Sequence, residues 1–597
     1  MSAKQPIVLG IKTTSHDTGA ALIANGKVVA IAEERLNRVK HSPNMFPVLA
    51  IDYCLKASGC KDGDVDLVAI DESGLRNTEE KVRRFHEKTS NRFMRARIEI
   101  INHHDAHAAS AFFCSPFNDA AILIVDGAGE KIKTSLGVVG TESETMYRGT
   151  GNTITEIHKT LHIRERARYP YTFGVGKLYT LFTEGLANLG HYNEGKLMGL
   201  APYGSDDLLK SFPVERFIKE HNGDIVCNAR ITFPGIEEFY AKKKVYGAFE
   251  AAFRRVMSFL GKKFLRWGVA ASFEEPAVFD EVTLPYPRRA KELKLPDKRY
   301  NDAAYLAQKV FEEGMFLWGK KIKAITNSDT LCVAGGAGLN IDANKRFLDD
   351  VGFKHLFVQP GASDTGIALG CALWAYHQIL KQPRFWEMKS AALGREYTEN
   401  EVSAAIKARA SEINVTRSKS VADDAAALIA SGKIIGWFQG GGEYGPRALG
   451  HRSILCDARD PNMKDNANNK VKHRESWRPF AASILAEKMS EWFDITHPSP
   501  FMLLASQVHK DKQSKVPSIV HVDGTCRIQS VTPESNAKYH ELLRAFEKKT
   551  GVPLVLNTSF NLAGEAIVET PDDAIRCFLS TNMDALVVHE HVITKKK

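Results

Sequence analysis

Asn102-His103-His104-Asp105-Ala106-His107-Ala108-Ala109-Ser110 places three histidines in five residues, followed by small, helix-friendly side chains. On a helix His103 and His107 fall one turn apart on the same face, while His104 points elsewhere. Two imidazoles at that spacing can grip one metal ion, at about 2.0–2.1 Å if it is zinc. A capping and packing cluster is the plainer alternative. Two carboxylates could complete an oxygen-rich shell. Asp126 ends an apolar strand at a glycine turn, and Asp364 precedes a helix, where simple N-capping would also account for it. Mixed imidazole and carboxylate ligation suits iron, manganese or zinc, so spacing does not name the metal.

Glycine turns at strand ends supply candidate phosphate cradles: Thr13 to Gly19, Asp126-Gly127-Ala128-Gly129, and Gly335-Gly336-Ala337-Gly338-Leu339-Asn340. The last opens a helix, whose free N–H groups and dipole face an anion, so Gly335, Gly336 and Asn340 are candidate nucleotide contacts. Lys196, between Gly195 and Gly199, is a fourth; a plain loop is the alternative there. The C-terminal third is denser. Gln439 to Ser453 holds five glycines with Arg447, His451 and Arg452; Lys472-His473-Arg474 and Arg478 follow, then Arg527 and Asn557-Thr558-Ser559-Phe560-Asn561. A solvated basic face is the usual reading of such runs. Here Trp477, Pro479 and Phe480 interleave with the cations as pocket walls would, and guanidinium forks suit phosphate or carbamate oxygens, which points to a site for several anionic groups.

The 597 residues that must position these groups exceed one ordinary core and suggest two to four folded units at about 150 residues each. Hydrophobic content of 44% with 25% charged residues excludes wholesale disorder. No apolar run reaches the ~18 residues of a membrane span, and no signal-like stretch precedes Ile7-Val8-Leu9, so a cytoplasmic, membrane-free protein is expected. Nine cysteines without a C-x-x-C pair argue against a disulfide framework or zinc ribbon. Lys plus Arg (80) less Asp plus Glu (71) leaves +9, a mild excess that suits phosphate-bearing small molecules and does not call for nucleic acid.

Hydrophobic patterning predicts strands Ile7–Ile11, Ala20–Ile23 and Val28–Ala32, the last two joined by the hairpin signal Asn25-Gly26, then a helix Phe46–Ala57 and a strand Val65–Ile70. Ala121–Val125, a glycine turn, and a strand resuming at Thr134–Val139 echo that unit. Tandem lobes opening on hairpins look like those of actin-like ATPases and sugar kinases. Charged helices are expected from Ser205 to Lys298, with Lys242-Lys243-Lys244 in solvent. Helices Tyr305–Ile325 and Thr365–Leu380 flank the strand Leu331–Val333 and a helix from Leu339. A polar stretch from Phe385 to Asn400 marks a boundary, before a helix Asp423–Ser431 and strands Ile434–Phe438 and Leu554–Leu556.

Five motifs together resemble the O-carbamoyltransferases of antibiotic and nodulation-factor biosynthesis, the nebramycin, cephamycin and NodU type. They are H-H-x-x-H-A-A-S at 103–110, E-G-K-x-M-G-L-A-P-Y-G at 194–204, F-Q-G-x-x-E-x-G-P-R-A-L-G-x-R-S at 438–453, V-K-H-R-E-x-x-R-P-F-A at 471–481 and N-T-S-F-N at 557–561. The resemblance implies an α/β protein: an actin-like, two-lobed, TsaD-like transfer domain over residues 1–385 and a YrdC-like α/β domain over 386–597. The second domain would combine carbamoyl phosphate with ATP into carbamoyl-adenylate; the first, holding iron and a nucleotide, would pass the carbamoyl group to a hydroxyl of a small natural-product or sugar acceptor. Mg2+ and a homodimer are compatible with it. His103, His107, Asp126 and Asp364 match the family's metal ligands, Lys472 and Arg474 its K-x-R, and Ser559 and Asn561 the YrdC-type T-S-x-N. Gln439, Arg447, His451, Arg452, Arg478, Arg527 and Asn557 join them in the expected carbamoyl phosphate and ATP site. The family's usual Arg-Met after F-Q-G is Gly441-Gly442 here, and Glu142 to Arg168 also departs from it. An alcohol acceptor needs a base or Lewis acid, and His16, with Asp17 beside it, is the candidate base. The alternatives are a tRNA-threonylcarbamoylation-type protein, for which a denser basic face is expected, and an actin-like nucleotide switch, which would not need the arginine-rich second domain.

Overall fold

The computed structural model describes residues 5–72, 77–133, 139–163, 172–190, 192–221, 223–228, 231–232, 279–280, 282–285, 289 and 295–596. The chain forms two compact units: Met1–Ile132 with Glu142–Thr160 and Met315–Lys597, and Lys133–Thr141 with Leu161–Gly314.

In the first unit, β1 (Val8–Lys12), β2 (Gly19–Ala24), β3 (Lys27–Ala32), β4 (Leu67–Asp71) and β5 (Arg97–Ile100) form one sheet in the order β3-β2-β1-β4-β5. The β2–β3 hairpin turns where the sequence predicts, with φ of 53° at Asn25 and 72° at Gly26, the left-handed pair that such a turn requires. β1 runs antiparallel to β2 and parallel to β4. A second sheet repeats this scheme. β6 (Asp119–Val125) lies antiparallel to Val139–Thr150, which also pairs Thr153–Ile163, and parallel to Thr330–Ala334, which is followed by His355–Val358. The expected α/β class and tandem hairpin lobes are therefore present. The Thr134 end of the expected strand lies outside the described residues.

Two helices carry the histidine motif against these sheets. Asn102 caps His103–Phe112, its side chain accepting from the His104 and Asp105 amides at 2.9 and 3.1 Å. The helix Ile367–Trp374, small and apolar along IALGCALW, is buried through Leu373. Its backbone makes two close approaches: a methyl group on Gly370 would overlap the Ala106 carbonyl oxygen, and one on Gly10 of β1 would overlap that of Ala368. Both glycines are required for lack of a side chain.

Residues 413–595 supply every strand of a nine-stranded mixed sheet ordered Ile413–Arg417, His591–Lys595, Ala585–Val588, Ile435–Phe438, Arg452–Cys456, Leu554–Ser559, Ala481–Leu485, Thr525–Val531 and Leu504–Gln507.

In the second unit the helical expectation for Ser205 to Lys298 is corrected over 218–228; most of the remainder lies outside the described residues. Beyond the short helix Asp207–Ser211, the described residues carry strands Ile218–His221 and Asp224–Asn228, turning at Gly223 with φ of 76°, and a parallel pair, Ile231–Thr232 with Val282–Thr283. Ile225 and Cys227 alternate inward from this hairpin, a period of two that the surrounding charges hide. Lys242 to Lys244 lie outside the described residues. Among the described residues no helix is long and apolar enough to cross a membrane.

Gly370→Ala should lower stability by about 1–3 kcal/mol, because the new methyl meets a backbone carbonyl that cannot rotate away. Gly63→Ala, where nothing stands within 4 Å, should leave the unfolding midpoint unchanged. Equal midpoints for the two variants would refute the tight approach.

Candidate functional site

The first cluster forms where the two sheets' strand ends meet the buried helices. Asp126 follows β6. Its Oδ1 accepts from the Gly336 amide at 3.0 Å, which leaves Oδ2 3.5 Å from His103 Nε2. Asp364 does not cap the following helix through its side chain; its Oδ1 lies 3.5 Å from His103 Nε2 and 4.0 Å from His107 Nε2. One ligand atom from each of the four residues falls within 4.8 Å of the others, and all four residues are buried. Ligand atoms about 2.1 Å from one ion stand roughly 3–4 Å apart, so the spacing fits a single ion. Both His103 Nε2 and His107 Nε2 are buried without a hydrogen bond, as nitrogens reserved for a metal would be. Burial pushes His107 down to about 3, which keeps it neutral and able to ligate. Burial opposes the charged forms of Asp126 and Asp364 too, but His103 outweighs it at Asp126, and Lys12 and His103 at Asp364, holding both carboxyls below the usual range.

His16 adjoins this cluster. Its Nδ1 stands 3.0 Å from Asp17 Oδ2 and its Nε2 3.8 Å from Asp364 Oδ2, while Asp17 Oδ1 meets His41 Nδ1 at 2.8 Å. Burial lowers the His16 pKa, but Asp17 and Asp364 outweigh it and raise it overall. Two groups absent from the sequence motifs join here: Lys12, from β1, and Asp71, which ends β4 and faces His103 Nδ1 at 3.3 Å.

The second cluster is cationic. Lys472 Nζ is held by four acceptors at the end of the Leu554–Ser559 strand: Ser559 O at 2.8 Å, Ser559 Oγ at 3.2 Å, Asn561 O at 2.9 Å and Asn561 Oδ1 at 2.6 Å. His473 beyond it is left-handed, with φ of 44°. Arg474 stacks on Phe480 at 4.5 Å and donates from Nε to Asn468 Oδ1 at 2.7 Å. Burial and the neighbouring guanidinium groups of Arg478 and Arg527 push Arg474 down to about 9; Arg527 falls to about 10. Burial, then Arg527 and Arg478, lower Arg447 strongly, and burial with Arg474 does the same to Lys472. Among the described residues, the one ion pair of these five cations is Arg478 with Glu475 at 3.8 Å. The Nε donors of Arg447 and Arg527 are buried without a partner. Such a cluster is built for an incoming anion.

The other expected contacts occupy different places. Arg452 is fully buried, stacks on Phe438 at 3.6 Å, and donates to the Gln439, Gly440 and His451 carbonyls. His451 meets Gln439 O, Gln439 donates to His589 O, and Asn557 donates to Ala448 O and Ser483 Oγ. These four side chains brace the loop that presents Arg447. Glu443, which sequence reasoning did not single out, organises it further: its Oε1 accepts from the Leu449, His451 and Arg452 amides at 2.8, 2.8 and 3.0 Å. Gly335, with φ of 90°, closes against the Val125 carbonyl. Asn340 caps the helix Ile341–Asp349. Lys196 lies in the second unit, in the helix Glu194–Leu200.

Family models decide what this pair of clusters belongs to: Carbamoyltransferase N-terminus matches residues 7–96 and 80–373, and Carbamoyltransferase C-terminus matches 426–595. The chain belongs to the carbamoyltransferase family. An uncharacterized protein of Synechocystis sp. is 33% identical over 98% of this chain and 96% of its own length. Nodulation protein NolNO of Sinorhizobium fredii is 32% identical over 98% of this chain and 80% of its own. The crystal structure of T. kodakarensis HypF covers 63% of this chain and 48% of its own at 12% identity, with a TM-score of 0.32 too low to carry an argument. This carbamoyltransferase is thus an enzyme of carbamoyl-group transfer. Its Gly441-Gly442 pair has a local cause: a methyl on Gly441 would overlap the Gly394 carbonyl, and one on Gly442 the Glu569 carboxylate. A side chain at Gly441 would have to displace that backbone carbonyl, whereas at Gly442 the Glu569 side chain would have to turn aside.

Two outcomes follow. Inorganic pyrophosphate should raise the melting temperature, and Arg447→Met should weaken its binding by about 1.5–3 kcal/mol, roughly 10- to 150-fold, by calorimetry; unchanged affinity would remove Arg447 from the anion site. The second concerns His104, buried against Thr145 Oγ1 at 2.7 Å, which burial pushes down to about 4 from 6.5. The unfolded chain takes up that proton first as pH falls, so the metal-free protein should lose up to about 3 kcal/mol between pH 6.5 and 4. His104→Gln should flatten that part of the unfolding profile.

Proposed function

We propose that this carbamoyltransferase makes carbamoyl-adenylate from carbamoyl phosphate and ATP at the cationic cluster. It then transfers the carbamoyl group to a hydroxyl of a small natural-product or sugar acceptor beside the histidine–aspartate cluster. The observation that carries this reading is the pairing of five closely grouped cations, with one carboxylate ion pair among them in the described residues, with a separate buried set of two imidazoles and two carboxylates.

Water would hydrolyse carbamoyl phosphate to carbamate and inorganic phosphate; a carbamate oxygen would then attack the α-phosphorus of ATP and expel pyrophosphate. Arg447, Lys472, Arg474, Arg478 and Arg527 hold the charge of these groups, and the stacking of Arg474 on Phe480 keeps its fork fixed. The acceptor oxygen then attacks the carbamoyl carbon and expels AMP. His16 Nε2 takes the hydroxyl proton, with Asp17 at Nδ1 fixing the tautomer. His103, His107, Asp126 and Asp364 would hold iron as Fe2+, which when bound acts as a Lewis acid. Closing the labile adenylate off from water favours keeping both steps in one polypeptide. Gly335 and Gly336 are proposed to contact the nucleotide on the transfer side. The division of labour falls near residue 385, with transfer over 1–385 and activation over 386–597.

Asp126→Asn should spare pyrophosphate release that depends on ATP and carbamoyl phosphate, yet abolish transfer, read as loss of the roughly 43-dalton gain on the acceptor. Lys472→Ala and Arg474→Ala should abolish both. If Asp126→Asn carbamoylates the acceptor at the wild-type rate, the assignment of transfer to this cluster is wrong.

A further inference from the structure

Lys12 and Asp71 are direct partners in the parallel register of β1 and β4, and each side chain is 1% exposed. An ammonium and a carboxylate at such a place are costly to bury, by several kcal/mol per ion, and apolar side chains would fill it as well. Their contacts say what they serve. Lys12 Nζ lies 3.2 Å from Asp71 Oδ2 and 3.2 Å from Asp364 Oδ2, and donates to Thr14 O at 2.9 Å. Asp71 Oδ2 lies 3.3 Å from His103 Nδ1, on the side of the ring away from the cluster. The two oxygens of Asp364 are thereby divided: Oδ1 faces His103 and His107, and Oδ2 faces Lys12 and His16.

We propose that Lys12 and Asp71 are positioning residues for a divalent metal ion at His103, His107, Asp126 and Asp364, an inference that rests on the metal reading of those four. Asp71 accepts the His103 Nδ1 proton and so turns Nε2 toward the ion. Carboxylates behind ligating histidines act in this way, and their loss costs 10- to 100-fold in affinity. Lys12 occupies Asp364 Oδ2 and limits that carboxylate to one metal-facing oxygen. The competing account is a staple between β1 and β4 that affects stability alone.

The full-length protein, stripped with a chelator and titrated with Co2+, separates these accounts. Wild type should bind one equivalent with the strong visible absorption of a low-coordinate site. Asp71→Asn should bind 10- to 100-fold more weakly. Lys12→Met should keep one equivalent but lose visible intensity, as Asp364 turns its second oxygen to the ion and the coordination number rises; Lys12→Arg should restore the spectrum. Wild-type affinity and spectrum in both Asp71→Asn and Lys12→Met would leave only the staple and overturn the proposal. Absence of Co2+ binding by folded wild type would overturn the metal reading itself. Should Asp71→Asn fail to fold by circular dichroism, the Lys12→Met spectrum decides alone.

Discussion

The site depends on how closely three pieces of backbone can approach. Gly370 against the Ala106 carbonyl, and Gly10 against that of Ala368, let one buried helix lie on both β1 and the histidine helix with no side chain between them. His103 and His107 flank Ala106 in sequence, Asp364 opens the turn that leads into the buried helix, and Lys12 lies two residues beyond Gly10. The same contacts that pack the core therefore set the distances among the four clustered side chains. Protein interiors are close-packed and transmit small shifts, so a change of one methyl group there reaches the chemistry.

Two opposite electrostatic problems are solved within this unit. Around His103 the excess charge is negative and buried, balanced in part by Lys12. Around Arg447 it is positive, and burial with mutual repulsion lowers every proton affinity in the group. Neither arrangement is at its most stable when empty of counter-ions, and both favour a ligand of defined sign. The Glu443 carboxylate, the buried Arg452 and the Asn557 amide hold the loop rigid around that strained charge, which is why residues beside the arginines serve as a frame.

Local features were legible in the sequence. Asn25-Gly26 announces its turn, the i and i+4 spacing places His103 and His107 on one face, and Asn102 caps their helix. The family, too, could be read from five ordered motifs. What depends on register could not. Lys12 and Asp71 are 59 positions apart and meet only because β1 and β4 pair in parallel; neither sits in a pattern of its own. The hairpin of Ile218–His221 and Asp224–Asn228 was hidden because charged residues mask its alternation. Nor does a motif rich in glycine and arginine say which of its members joins the cationic cluster: Arg447 and Arg452 are five residues apart, one beside Arg527 and Arg478, the other stacked on Phe438 and donating to backbone carbonyls.

The make-up of the cationic cluster bears on its chemical durability. An activated carbamoyl donor acylates free amines, so a lysine-rich cluster would be modified by the intermediate proposed to form beside it. Four of the five cations here are arginines, whose delocalised guanidinium groups are poor nucleophiles. The one amine, Lys472, has its three N–H bonds shared among four oxygens of Ser559 and Asn561. Acylating it would first mean breaking that cage. The cluster is thus armoured against the reagent proposed to form there, and the intact mass of the protein after many turnovers would reveal how well.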